Sequence, residues 1–129
     1  MTHIASATVH SAPCNQPWLR LIADRTKDVE GRLSRGLWRN IRVGDQLRLY
    51  DPEDRNSVVT RTVVELVHAP DFKALYDRFG ARLLPPGVDC SALKVAPEQY
   101  QRAPWTIYQC FYPSELVAAQ GAVGVVLGD

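Results

Sequence analysis

The chain has 129 residues, 46% of them apolar and 22% charged, the make-up of one soluble globular domain and not of a disordered or collagen-like chain. A chain this long buries roughly two-thirds of its unfolded surface, so its core needs no disulfide or metal staple. A net charge of +1 excludes the global basic field of a strong nucleic-acid binder, and no apolar run approaches the roughly 20 residues that cross a bilayer, so no membrane contact is expected.

Residues 1–14 read as a flexible leader and residues 15–129 as a single domain. The stretch Met1 to Ala12 has no basic segment followed by an apolar run, so it is not a signal peptide. Cys14, Cys90 and Cys110 are odd in number and share no metal-ligand or redox spacing, which points to reduced thiols in the cytoplasm. Asn15-Gln-Pro17, followed by Trp18, Leu19, Leu21 and Ile22, predicts a helix to about Arg25, with Asn15 near the N-cap. Alternation of Val29, Gly31 and Leu33 with charged residues predicts a strand over 26–33. Leu37, Trp38 and Ile41 fall in a connection, and Val43-Gly44-Asp45 is a turn into a second strand, Gln46 to Tyr50.

Asp51 to Asn56 is a polar hairpin connection. Ser57 to Val67, rich in β-branched residues, predicts a strand long enough to bend around a barrel. Asp71 caps a helix from Phe72 to Phe79, whose apolar positions recur at helical spacing, and Gly80 closes it. Pro85-Pro86-Gly87 keeps Leu83 to Asp89 irregular. A helical region from Pro97 to Gln120, broken at Pro104 and Pro113, precedes a last strand, Ala122 to Leu127. This order has too few strand-helix-strand units for a doubly wound parallel sheet, so an α+β fold is expected: a small mixed β-barrel flanked by helices.

Charge is unevenly spread. Residues 20–48 hold eight cations against four acids, and twelve of the fifteen cations in the chain are Arg, whose planar fork suits phosphates and base edges. No phosphate-binding loop, dinucleotide fingerprint, nucleophile elbow or paired-histidine zinc motif is present. His3, His10 and His68 are scattered, so neither a metal site nor a cofactor is expected.

The constellation Lys27-Asp-Val-Glu30-Gly-Arg32 stands out. On a strand Glu30 and Arg32 share a face by the period of two, whereas Lys27 joins them only through a turn or bulge. Converging in a cleft, the three offer two cationic donors and one acceptor, a way to hold a nucleoside or nucleotide. The plain alternative is an exposed ion-pair ladder. Trp38, among Arg35, Arg39 and Arg42, is a candidate for base stacking, with Trp105 the other tryptophan beside a turn; Trp18 reads as core.

Arg25-x-Lys27-x-x-Glu30-x-Arg32, preceding Val43-Gly44-Asp45, resembles the G-x-K-x-x-E-x-R signature of the activating signal cointegrator homology (ASCH) domains. The Phe111-Tyr112-Pro113-Ser114-Glu115 helix start and the strand after Gly121 resemble the close of that family, so the likeness spans Trp18 to Leu127. It implies a PUA-like barrel that binds RNA or a nucleotide, with Lys27, Glu30 and Arg32 in its cleft and RNA or a nucleotide as partner; on the residues' own charge and position, Arg25 is expected at the mouth and Trp38 with Arg39, among the arginines from Arg35 to Arg42, at the rim. Arg25 departs from the signature glycine. Some members are hydrolases, amidohydrolases on acetylcytidine or ribonucleases, which keeps a catalytic role open for Lys27 and Glu30 with Ser114 or Tyr112. Glu30, however, stands where the deacetylases carry a threonine nucleophile, and Gly80 to Val88 offers no acid for their third group. A protein-interaction module in RNA metabolism or transcription coactivation is a further alternative.

Overall fold

The computed structural model describes residues 8–129. Its strands are β1 (Val9–Pro13), β2 (Val29–Leu33), β3 (Gln46–Asp51), β4 (Asp54–Ala69) and β5 (Ala122–Leu127). Its α-helices are α1 (Trp18–Ala23), α2 (Leu37–Asn40), α3 (Phe72–Phe79), α4 (Pro97–Arg102) and α5 (Ser114–Gln120), with 3-10 turns at Gly80–Arg82, Ser91–Leu93 and Pro104–Cys110. The fold is mixed α+β, built on one five-stranded sheet in the order β1-β3-β4-β5-β2.

β4 is the hinge of this sheet. Its first half pairs antiparallel with β3, and its second half pairs antiparallel with β5, with a bulge between Val63 and Glu65 that lets the strand bend. β5 is buried along its whole length because β4 and β2 flank it and α3 packs on it. At Gly124 a Cβ would stand only 3.0 Å from the Phe79 ring, so the missing side chain allows that close approach. Leu47, Leu49, Val63, Val123 and Val125 supply the sheet side of the core; Leu75, Leu83 and Ile107 close it from above.

The sheet is not closed into a barrel, which corrects that part of the expectation. β1 and β2 remain its edges, and among the described residues no ladder joins them. Several edge groups that a closing ladder would use are already taken: the Val29 carbonyl by Lys27 Nζ, the Leu33 carbonyl by the Arg35 amide, and the Pro13 carbonyl by Arg32. The Arg32 side chain of β2 thus bridges to β1 across the seam where a barrel would zip shut.

The leader reading is corrected as well. Val9–Pro13 form β1, parallel to β3; only Ala12 of this strand is buried, so its periodicity is faint. Pro13 is tolerated at the end of an edge strand. The rest of the expected leader, residues 1–7, lies outside the described residues. α1 starts at Trp18 after a cis Gln16-Pro17 bond, and Gln16 Oε1, not Asn15, accepts a first-turn amide, that of Arg20, at 3.0 Å. β2 begins at Val29, not residue 26, because Arg25 adopts a left-handed φ of 69° and residues 24–28 turn. The α3 cap is as predicted, with Asp71 Oδ1 accepting from Ala74 N at 2.9 Å.

Candidate functional site

The turn at Arg25 decides where Lys27 goes. Its side chain folds back under β2 and is 1% exposed. Nζ donates to the Val29 carbonyl at 2.6 Å and to the Leu83 carbonyl, and it lies 3.7 Å from Glu30 Oε1. Three acceptors around Nζ match the three protons of an ammonium. Burial pulls the Lys27 pKa below the ordinary lysine value, and the Glu30 charge opposes that pull.

Glu30, 5% exposed, is the centre of the cluster. Its Oε2 accepts from Arg32 Nε at 3.2 Å and Nη2 at 2.9 Å, and the Cys14 thiol donates to the same oxygen at 3.6 Å. Burial alone would raise the carboxyl pKa; the Arg32 and Lys27 charges overrule it and hold the group below the ordinary carboxylate range. Arg32 Nη2 also donates to the Pro13 carbonyl at 2.7 Å, and its guanidinium lies over the Trp38 ring, 4.5 Å from the centroid. Two cations surround one anion, so the cluster carries net positive charge. These residues are buried beside a concavity and do not form an exposed ladder.

The concavity is a cleft of about 170 Å³. Lys27, Glu30 and Arg32 form its polar end, Trp18, Tyr108 and Tyr112 line it, and Asn15 and the 38% exposed Phe111 stand at its mouth. Phe72, buried on α3, stacks on Tyr108 at 3.9 Å and on Tyr112 at 5.6 Å, which fixes both rings. A larger cavity of about 650 Å³ lies between Tyr76, Val88, Cys90 and Tyr100. It is mostly apolar, and its Tyr100 hydroxyl is already bonded to the Pro85 carbonyl at 2.7 Å.

Of the residues singled out in the sequence, Lys27, Glu30, Arg32 and Tyr112 meet in the cleft. Arg25, Trp38, Arg39 and Ser114 do not line it. Arg25 is exposed and pairs with Asp129 at 2.7 Å, on the outside of its turn. Trp38 supports Arg32 from outside the cleft, Arg39 is exposed on α2, and Ser114 is exposed at the start of α5. Arg35, 5.9 Å from the Tyr112 centroid, is the rim arginine in contact with a cleft wall. Trp105 packs by Tyr76 and Lys73, away from the cleft.

Sequence reading missed Cys14, Gly31, Tyr108 and Phe111 as cleft residues. Cys14 carried a usable signal, a lone thiol just before α1, but its role depends on β1 lying across the seam from β2. Burial, then the Glu30 charge, pushes the Cys14 thiol pKa up, so the sulfur stays a protonated donor. Among the described residues no group of three His, Cys, Asp or Glu side chains is arranged to hold a metal ion, and no helix is long and apolar enough to cross a membrane.

This sheet and its helices form an α+β fold shared with solved ASCH structures. The chain matches the crystal structure of the hypothetical protein PH0355 with a TM-score of 0.71 at 21% identity, over 93% of this chain and 97% of that one. It matches the solution structure of the protein PF0455 from Pyrococcus furiosus with a TM-score of 0.63 at 22% identity, over 93% and 96%. The ASCH protein from Zymomonas mobilis matches with a TM-score of 0.61 at 15% identity, over 95% of this chain and 68% of that one. These are likenesses of fold. No protein-family model and no curated protein matches the chain.

Proposed function

We infer that this domain binds RNA, or a nucleotide-sized piece of it, with one base in the cleft. The observation that carries the reading is the buried Glu30 carboxylate held between Lys27 and Arg32 at the polar end of an aromatic-lined cleft. At about 170 Å³ the cleft has room for a single base ring and leaves the sugar and phosphate outside. There Arg35, with Arg39 and Arg42 exposed nearby in the chain, meets the phosphates. Tyr112 and Phe111 offer ring faces, and stacking on such rings contributes about 1–3 kcal/mol per base.

Hydrolysis finds less support. Lys27 Nζ is enclosed by three acceptors, the Cys14 thiol is held protonated, and Ser114 is exposed outside the cleft. A general base or nucleophile needs a free lone pair aimed at the ligand. The interaction-module reading calls for a flat exposed strand, whereas the Lys27 cluster is buried beside a concavity.

The test is fluorescence anisotropy with labelled single-stranded and hairpin RNA at two salt concentrations, run beside liquid-chromatographic turnover of acetylcytidine. Lys27→Ala is unsuitable, since it would leave Glu30 and two carbonyls unpaired in the interior. Phe111→Ala and Arg35→Ala act at the mouth and rim and preserve the core. We expect saturable binding, weakened by salt and several-fold by either substitution, with no turnover. Absence of RNA binding, or turnover of acetylcytidine, would overturn the reading.

A further inference from the structure

The antiparallel pairing of β2 with β5 turns the N–H and C=O groups of Val29, Gly31 and Leu33 to the free edge of β2, and those of Gly31 lie in the cleft. Leu127 N donates to Asp28 O, and Ser34 N donates to Gly121 O. With the register of the pair, these bonds fix the parity of the ladder. Even-numbered residues of β2 bond to β5, and Val29, Gly31 and Leu33 turn their N–H and C=O groups to the free edge. Lys27 Nζ occupies the Val29 carbonyl, and the Arg35 amide occupies the Leu33 carbonyl at 2.9 Å. Gly31 lies between them. It is buried and lines the cleft, and its outward N–H and C=O have no partner among the described residues. Buried peptide groups are nearly always bonded, so this pair is open for a ligand.

A second polar group converges on the same place. A Cβ at Gly31 would stand 2.5 Å from Tyr108 Oη, so the phenol rests over the glycine as no side chain would allow. Tyr108 is 9% exposed and lines the cleft, and its hydroxyl has no hydrogen-bond partner among the described residues. The cleft therefore holds an amide donor, an amide acceptor and a phenol, all unpaired, around one backbone position.

We propose that the free peptide edge of Gly31, overlaid by Tyr108, is the base-reading element of the cleft and takes a planar ring bearing a hydrogen-bond acceptor beside an N–H donor. This rests on the nucleobase reading above and adds what is recognised and by which atoms. A phosphate, with acceptors only, satisfies the Gly31 N–H and leaves the carbonyl bare. The pairing edge of a nucleobase satisfies both. Backbone reading of this kind follows the shape and donor-acceptor pattern of the base and is independent of salt, unlike the arginine rim.

The experiment is a titration of the nitrogen-15-labelled chain with each of the four ribonucleosides. The one that binds most tightly is then compared with its counterpart in which methylation replaces every N–H of the pairing edge, two methyl groups on the amino nitrogen of adenosine or cytidine. The expected result is a downfield shift of the Gly31 amide proton and at least about tenfold weaker binding of the methylated compound, the cost of an unpaired buried carbonyl. If a nucleoside binds and shifts the Trp18 and Tyr112 signals while the Gly31 amide stays put and methylation changes nothing, the edge is not the reader, although the cleft still holds a base. If no nucleoside binds while RNA does, the peptide-edge proposal falls and the cluster with its rim holds the chain by phosphates alone. If neither binds, both readings fall.

Discussion

Glu30 holds the site together, and its removal should register in stability before binding. Replacing it with Gln leaves Lys27 and Arg32 buried without their shared counter-charge, a loss of about 3–5 kcal/mol. The folded pKa of Glu30 lies below its ordinary value. Its contribution is therefore fully present above the unfolded carboxyl pKa, near 4.3, and is lost as pH falls through the lower, folded value. Urea unfolding across a pH series should show wild type well above Glu30→Gln at neutral pH and the two converging in acid. A gap that does not narrow on acidification would mean the carboxylate is not the stabilising species. At Gly31, substitution by Ala drives a Cβ into Tyr108 Oη, which overpacking should make destabilising by about 1–3 kcal/mol. Adding Tyr108→Phe removes the nearest atom and should recover part of the loss; no recovery would show that Leu83 Cδ1 and the ring carbon Cζ of residue 108, each 3.1 Å from the same Cβ, limit the site. Arg25→Gly should raise the melting temperature slightly. It relieves about 1–2 kcal/mol of left-handed strain against roughly 0.5–1 kcal/mol of added chain entropy. The lost Arg25–Asp129 pair, with both side chains largely exposed, contributes little. The convergence of Lys27 with Glu30 was legible in the spacing only as a need for a turn, and Arg25 makes that turn in the conformation a glycine would take. Tyr108 was not legible as a cleft residue, because it lies 77 positions beyond Gly31 in the chain and only the packing of the 3-10 turn brings them together.

At the scale of elements, local chemistry was read well where it is decided locally. Asp71 caps α3 as its sequence demands, and Asp71→Ala should cost about 1 kcal/mol in thermal or urea unfolding. β5 and the breaks at Pro104 and Pro113 fall where β-branched residues and prolines put them. β1 escaped detection because its partner is distant: it pairs in parallel with β3, buries only Ala12 and ends in a proline. It nevertheless completes the site, since Pro13 accepts from Arg32 and Cys14 donates to Glu30. Deleting residues 1–13 should expose an edge of β3 and weaken both stability and RNA binding. Binding unchanged in the truncated chain would contradict a role for β1 in the cleft.

For the molecule as a whole, the α+β class was legible from the order of elements, and the ASCH likeness from the four signature positions between Arg25 and Arg32, the Val43-Gly44-Asp45 turn and two terminal motifs. Closure was not. Whether five strands zip into a barrel depends on edge groups, and here Lys27, Arg32 and Arg35 occupy several of them and leave a seam where the Gly31 N–H and C=O face the cleft. The positive excess of a chain of net charge +1 sits in a buried cluster and an arginine rim, where the proposed RNA binding requires it. The most direct test is to titrate the labelled chain with a short single-stranded RNA and map the amide shifts. The expected shifts form a contiguous set running from Cys14 and Gly31 through Tyr108, Phe111 and Tyr112 to Arg35. Shifts confined to Val88, Cys90 and Tyr100 around the larger apolar cavity, or none at saturating RNA, would contradict it.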